Sequence, residues 1–489
     1  MFTVFLCVVV FILWSWLKPR HGAPPLIPGS LPLIGNSHQL IGDRKYLWKR
    51  SQRTGAICRE MGGVAAFLVG SYSYYVISDP DDCLVVSNTC LDKPYAYNFS
   101  KRLMGNGLIT SEASLWKVHR KLLNPAFSQQ ILTTFLHEIN IQARSLVSQL
   151  SSKVGEEPFD VRSHFVKFTL STVSRTSLGL SAEDQTIINN EYAETVEELF
   201  AVFCSRFQKV WLHLTCFYNM SALKQKEDQL LKTLRGIMDY VINKRKTELK
   251  VIEEPEITYD PNSGKFKPAL DHLLNLAEEQ DAFTDDEIRE HLDTIVAASY
   301  DTTSSALTYT LILLGSHPEV QQRVVDELQE VLKNRDVDVS KDDLPKLVYL
   351  EAVIKESLRL YSVVPFIARK IDTHVKLKNY TLQPGTTCMI LMHSIHRDTK
   401  LWGADADLFR PERWLDPETL PTHPNSFVPF GFGKRHCIGK LYTMFVMKTA
   451  LAHILQRFSV SGNIDNVVTE YDIVLKPVLG HHISLSSRI

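Results

Sequence analysis

Cys437 has the surroundings that most invite chemistry. In the run Phe430-Gly-Phe-Gly433-Lys-Arg435-His-Cys437-Ile-Gly439, one thiol stands among glycines that let the backbone approach a flat object closely. Lys434, Arg435 and His436 lie beside it. Positive neighbours favour the thiolate. The chain is expected to turn helical from Lys440 to Phe458, which puts Cys437 near a helix N-terminus, where the dipole and free N–H groups further stabilise negative charge. A thiolate held in this way suits axial ligation of a haem iron, and its electron donation favours O–O cleavage. Taken alone, a cysteine among glycines is more often a small buried hydrophobe. A second polar pair, Asp301 and Thr302, interrupts a largely apolar stretch from Thr294 to Leu314 and reads by itself as a helix kink or a satisfied polar pair.

The elements that must position these groups are mostly helical. Thr284 as N-cap, Glu287 three residues on and the pair Phe283 and Ile288 form a capping box with a hydrophobic staple. Nothing breaks the helix that follows until Gly315 and Pro318, so it runs about 30 residues, roughly 45 Å. Pro318 then fits the first turn of a second helix, Glu319 to Leu332, with Val320, Val324, Leu328 and Leu332 on one face. Short β-type runs occur at Ala65–Ser78, Thr373–Leu382 and Thr387–Leu391, and Glu253 to Lys267 reads as a surface loop. The expected class is mainly α with small β-sheets and one long central helix, without an alternating βαβ series.

Composition bounds the rest. The 489 residues are 44% hydrophobic and 22% charged, with a net charge of −1, so the chain can bury a large core and carries no global footprint for nucleic acid. Its eight cysteines show no C-x-x-C spacing, which argues against a disulfide framework or zinc ribbon. Residues 1–17 contain no charge and are followed by Lys18, Pro19 and Arg20. The expectation is a retained N-terminal membrane anchor at the short limit for spanning, with the rest of the chain facing the cytosol. Residues 18–36 are read as a basic, proline-rich hinge, since Ala23 to Gly35 holds four prolines and two glycines. Residues 37–489 are read as one catalytic body.

The complete spacing F-x-x-G-x-R-x-C-x-G resembles the haem-binding signature of the cytochrome P450 family. The family's other motifs follow in order: Trp116-x-x-x-Arg120, Asp301-Thr302-Thr303, Glu356-x-x-Arg359 and Pro411-Glu-Arg413-Trp414. The resemblance covers essentially the whole chain. It implies haem b on Cys437 as proximal ligand, cradled by Phe430, Gly433 and Gly439, with Trp116, Arg120, Arg369 and Arg435 at the propionates. Arg is suited to that place by charge-assisted pairing. It also implies a structural triad of Glu356, Arg359 and Arg413, and a proton relay in which Thr302 supplies the hydroxyl and Asp301 the supporting acid. The implied activity is a monooxygenase that inserts one atom of O2 into a lipophilic substrate. Its electrons come from NADPH through a separate cytochrome P450 reductase, with cytochrome b5 as a further donor, at the endoplasmic reticulum membrane. No NADPH site is visible in the chain itself, because Gly431 and Gly433 are followed by His436 where a third glycine would complete G-x-G-x-x-G.

The segment His291 to Thr303 is similar to the clan containing fatty-acid ω-hydroxylases, yet it departs from that pattern. Ala298 stands where many members carry a glutamate that tethers haem, which implies non-covalent haem here. Ser299 replaces the usual glycine and Tyr300 follows, so the oxygen groove is expected to be crowded and fatty-acid ω-hydroxylation is placed in doubt. The altered motif suggests an insect enzyme. The aromatic stretch Leu199 to Tyr218 falls in the family's access region and reads equally as core helix. Lys117, Arg120, Lys121, Lys434 and Lys440 are expected to form a basic face for an acidic electron donor. Two rival functions are a haem-dependent isomerase or dehydratase of oxygenated lipids and a haem protein that sequesters a lipophilic ligand. The retained Asp301–Thr302 pair argues against the first, and the intact signature and triad against the second.

Overall fold

The capping box at Thr284 is realised in full: Glu287 N donates to Thr284 Oγ1 at 3.3 Å, and Thr284 N donates to Glu287 Oε2 at 2.9 Å. With Asp285, Asp286 and Glu287 also placed on the positive end of the dipole, the long helix runs from Asp285 to Ser316 over 32 residues. A second helix, Pro318–Leu332, begins with proline in its first turn. The structure is a computed structural model that describes residues 2–16, 23–70, 72–251 and 266–488, so most of the expected Glu253–Lys267 loop lies outside the described residues. The described chain divides into two compact units, each assembled from separate stretches of sequence.

The first unit comprises Met1–Ala96, Arg359–Leu408 and Glu418–Cys437. Its centre is a four-stranded sheet of β1 (Val64–Val69), β2 (Tyr72–Ile77), β3 (Ile367–Ile371) and β4 (Thr386–Ile390), in the spatial order β1-β2-β4-β3. The β1–β2 pair is an antiparallel hairpin, β2 runs parallel to β4, and β3 pairs antiparallel with β4 so that Arg369 lies opposite Cys388. One face buries Val64, Tyr75, Ile77, Val86, Cys388, Ile390 and Phe432. The proline-rich segment expected to run as a spacer instead lies along the free edge of β1. Ile27 N donates to Ala66 O at 2.8 Å, and Ala66 N donates to Pro25 O at 2.7 Å. An unpaired strand edge needs such partners, and proline can still serve as acceptor. At Gly35, with φ +58°, an added Cβ would sit 2.6 Å from Leu68, so only glycine allows this approach.

The second unit comprises Tyr97–Leu358, Phe409–Pro417 and Ile438–Ile489. Its helices include α1 (Ala113–Leu123), α2 (Leu136–Ser151), α3 (Arg162–Thr176), α4 (Asn190–Gln208), the long helix α5 (Asp285–Ser316), α6 (Val348–Leu360) and α7 (Lys440–Arg457). The long helix packs along α3 and α7, and α7 packs along α2. Val173, Tyr192, Val196, Phe200, Leu292, Val296 and Tyr300 form part of its core. Small antiparallel sheets, one of which contains β5 (Leu475–Leu479), complete the unit. The stretch Leu199 to Tyr218 is core helix only in its first half. Leu199, Phe200 and Phe203 are buried, but after Gln208 a 3₁₀ turn and a short helix leave Trp211, Leu214 and Phe217 exposed.

The apolar N-terminus is helical from Phe2 to Trp16. Among the described residues no helix is long and apolar enough to cross a membrane, and the flanking Lys18, Pro19 and Arg20 lie outside them.

Three histidines are buried as neutral rings. Burial pushes His291 down to about 3 and both His393 and His453 down to about 4. The unfolded chain binds protons at these sites below an ordinary histidine value of about 6.5, whereas the folded chain does not. Stability is therefore complete above about pH 6.5 and is lost as pH falls towards about 4. Each ring is expected to remove about 1 kcal/mol between about pH 7.5 and about pH 5.5. Urea unfolding midpoints at those two values should fall accordingly, and a flat profile would show the rings to be protonated in the fold.

Candidate functional site

In the first unit, the cysteine loop is shaped by two left-handed glycines. Gly431 has φ +84° and Gly433 φ +60°. A Cβ on Gly433 would come within 2.6 Å of Asn88 Oδ1 and 3.1 Å of Ser87, so the signature glycine is required for close packing as well as for the turn. Between them Phe432 is only 2% exposed and anchors the loop in the sheet core. The chain then doubles back: His436 N donates to Gly433 O at 3.2 Å and Cys437 N donates to Phe430 O at 2.8 Å. Phe430 and Gly433 thus act as the frame that presents Cys437, which is exposed. In the second unit Gly439 caps α7, as expected from the sequence.

Arg369 is 1% exposed on β3, and its Nη1 donates to Ala368 O at 3.0 Å. It shares its surroundings with Arg435 and with a residue the sequence reading missed, the partly buried Lys93. Burial, followed by repulsion from Arg369 and Arg435, holds the Lys93 ammonium well below the usual lysine range. A gathering of Lys93 with Arg369 and Arg435, the last only two residues before the exposed Cys437, fits the demands of haem, which brings two carboxylates with its iron. Nothing local marks Lys93, because both neighbours lie more than 270 residues away in sequence.

In the second unit, α1 carries buried Trp116, His119 and half-buried Arg120 on one side. Arg120 Nε donates to Asn124 Oδ1 at 2.8 Å. His119 Nδ1 lies 2.9 Å from His291 Nε2 and so ties α1 to α5. On α5, Thr302 Oγ1 donates back to Ala298 O at 2.7 Å. The adjacent Asp301 points another way, as a rotation of about 100° per residue dictates. Its fully buried carboxylate lies 3.0 Å from Lys476 Nζ and 3.5 Å from Arg162 Nη2. Burial, only partly offset by these two cations, holds Asp301 above the usual carboxylate range.

The expected crowding by Tyr300 does not occur through its ring. The ring is fully buried in the core, and its hydroxyl donates to Ala193 O on α4 at 3.3 Å. The Tyr442 hydroxyl on α7 hydrogen-bonds with both Ser299 and Thr176, the latter at 3.0 Å.

Glu356 and Arg413 are brought together as the sequence implies. Glu356 Oε1 accepts from Arg413 Nε at 2.9 Å and from Arg410 N at 3.0 Å, while Oε2 accepts from Trp414 Nε1 at 3.0 Å. Arg359, one turn beyond Glu356 on α6, donates to His396 O at 2.8 Å, to Leu408 O at 3.1 Å and to Ala406 O, with Trp402 beneath its guanidinium.

Comparison with known proteins adds the following. A family model described as cytochrome P450 matches residues 24–482. Cytochrome P450 4V2 of Mus musculus is 33% identical over 413 residues, which cover 83% of this chain and 78% of the relative. Cytochrome P450 4c21 of Blattella germanica is 30% identical over 461 residues, covering 93% and 91%. Cytochrome P450 4c3 of Drosophila melanogaster is 27% identical over 475 residues, covering 94% and 89%.

Replacing Glu356 by alanine leaves a fully buried Arg413 without its carboxylate. A loss of about 3–5 kcal/mol is expected, read as a fall in the thermal midpoint, and a midpoint unchanged from the parent would contradict the pairing.

Proposed function

The chain belongs to the cytochrome P450 family, and on that premise we propose that it is a membrane-anchored monooxygenase of lipophilic substrates, held together by non-covalent haem on Cys437. The observation that carries this reading is the cysteine loop, where left-handed Gly431 and Gly433 and the Cys437 N to Phe430 O bond present an exposed thiol two residues after Arg435. Haem, when bound, supplies the dioxygen activation that a thiolate ligand promotes.

The protein's own residues do the rest. Cys437 donates its thiolate, favoured by the α7 N-terminus and by the cations around it. Arg369 and Arg435, with Lys93 as their neighbour, would pair with the propionates, a role that the family pattern also gives to Trp116 and Arg120. Ala298 offers only a methyl group, so no carboxylate is available at that position to tether the macrocycle. Asp301, whose buried carboxyl takes up a proton more readily than an ordinary one, supplies protons at its carboxyl oxygen, and the Thr302 hydroxyl carries them onward once it leaves Ala298 O. An N-terminal membrane anchor over residues 1–17, helical from Phe2 to Trp16, brings the enzyme to its apolar substrates at the endoplasmic reticulum. Electrons would arrive from NADPH through a separate reductase that pairs with basic surface residues, with cytochrome b5 as a second donor.

Expression with reductase should give the red-shifted Soret band of thiolate haem in the reduced carbon-monoxide complex, and Cys437→Ala should abolish it. A parent protein without that band would sink the assignment. Acid-acetone should release the haem; retention would show a covalent tether. In a lipid panel, Thr302→Ala should divert at least about tenfold more NADPH into peroxide rather than product, and unchanged coupling would remove Thr302 from the relay.

A further inference from the structure

Two buried histidines that the haem reading leaves unused join α1 to α5. His119 is 3% exposed and His291 1% exposed, and His119 Nδ1 lies 2.9 Å from His291 Nε2. Their rings meet edge to face with centroids 4.8 Å apart, and both pack against Phe283, at 5.0 Å and 5.4 Å. On its other side His119 Nε2 faces Glu287 Oε1 at 3.8 Å. The second oxygen of that carboxylate is engaged in the cap of α5, where it accepts from Thr284 N and Thr284 Oγ1. At the far end of α1, His272 Nε2 lies 2.8 Å from Leu122 O.

The chemistry of imidazole sets the direction of the bond between the two rings. Burial holds both below the ordinary histidine range, so at pH 7 each is neutral and carries one N–H and one lone pair. A lone pair on His119 Nε2 would face the Glu287 carboxylate. The proton therefore sits on Nε2, Nδ1 accepts, and His291 Nε2–H is the donor. His291 Nδ1, which has no partner among the described residues, keeps the lone pair. Glu287 and His291 are one turn apart on α5, so the long helix holds the His119 ring at both nitrogens.

A hydrogen bond is directional, so it restrains the turn of a helix about its axis as well as its distance from a neighbour. Trp116 lies one turn before His119 on α1, and Arg120 is the next residue. A turn of about 20° moves a side-chain tip about 6 Å from the helix axis by about 2 Å, which is enough to break a charge-assisted pairing. We propose that His291 is a positioning residue for the cofactor: through His119 it holds the turn of α1, and with it the aim of Trp116 and Arg120 at the haem carboxylates. The proposal rests on the haem reading of α1 and adds to it the contact that aims the helix.

Two variants separate the bond from the packing. His291→Gln keeps an N–H donor near the place of Nε2, whereas His291→Phe keeps a ring against Phe283 and has no donor. Haem loss from the ferric holoprotein is timed by transfer to excess apomyoglobin. The rate should rise about tenfold in His291→Phe and stay within about twofold of the parent in His291→Gln. Looser pairing leaves the propionate charges less compensated and disfavours the ferrous state. At one applied potential the ferrous-to-ferric ratio should therefore fall about threefold in His291→Phe and not in His291→Gln. In an Arg120→Gln background, His291→Phe should change haem loss by less than about twofold, because the pairing it aims is already gone. Parental haem loss in His291→Phe would overturn the proposal. Equal loss in His291→Phe and His291→Gln would overturn it too, since packing and not the N–H would then set α1. If His291→Phe does not fold, His291→Leu takes its place with the same expectations. Parental haem loss in both Arg120→Gln and Trp116→Phe would overturn the proposal through α1 itself, and a parent that takes up no haem would defeat the haem reading and the proposal with it.

Discussion

A carboxylate removed from water must be met by donors already fixed in space, and Glu356 shows how much of the chain that demand can organise. Its two oxygens accept from Arg413 Nε, Arg410 N and Trp414 Nε1, all from one short segment more than 50 residues further along the chain. Breaking any of these leaves a charge or an indole N–H buried without its partner, so the segment around Pro411 cannot slide along α6. Arg359 meets the converse requirement, spreading its guanidinium over three backbone carbonyls and the Trp402 ring. Neither residue has to touch a substrate to matter, since each fixes backbone from which other groups are presented.

The same rule, left partly unfulfilled, accounts for the chemistry-bearing places. Glu356 is met by donors on both oxygens and serves as a structural anchor. Asp301 has two cations but competes for them with Glu197 and Asp472, and burial holds its carboxyl up. Lys93, Arg369 and Arg435 present the mirror image, cations gathered with each other as neighbours. A carboxyl that burial holds above its ordinary range, and a cluster of cations gathered at one place, each mark where a proton or an anionic group can be received.

Local signals in the sequence were the legible ones. The capping box at Thr284, proline at the start of Pro318–Leu332 and the glycines around Cys437 each act within a few residues, so spacing alone locates them. The pairing of Glu356 with Arg413 was legible only through a family pattern. Lys476 escaped notice because its partner Asp301 lies 175 residues earlier, and a lysine in a short strand has no local mark. Lys93 escaped for the same reason. The proline-rich segment was read as a hinge, and its pairing along β1 was not legible because prolines forbid a helix but do not forbid lying along a strand edge as acceptors. The stretch to Tyr218 was left open between access region and core helix because aromatic content does not say which side of a broken helix faces water.

Ser299 and Tyr300 show why an altered motif need not mean an altered face. Successive residues on a helix point about 100° apart, so substitutions next to Thr302 can serve neighbours that Thr302 never meets. Tyr300 extends into the core against α4, and Ser299 meets the Tyr442 hydroxyl on α7, which also bonds with Thr176 on α3. A glycine at 299 could make no such bond, and buried Tyr442 would then depend on Thr176 alone. The change therefore adds a hydrogen bond between the long helix and α7. What it alters first is how firmly Asp301 and Thr302 are held, and only through that what they can do.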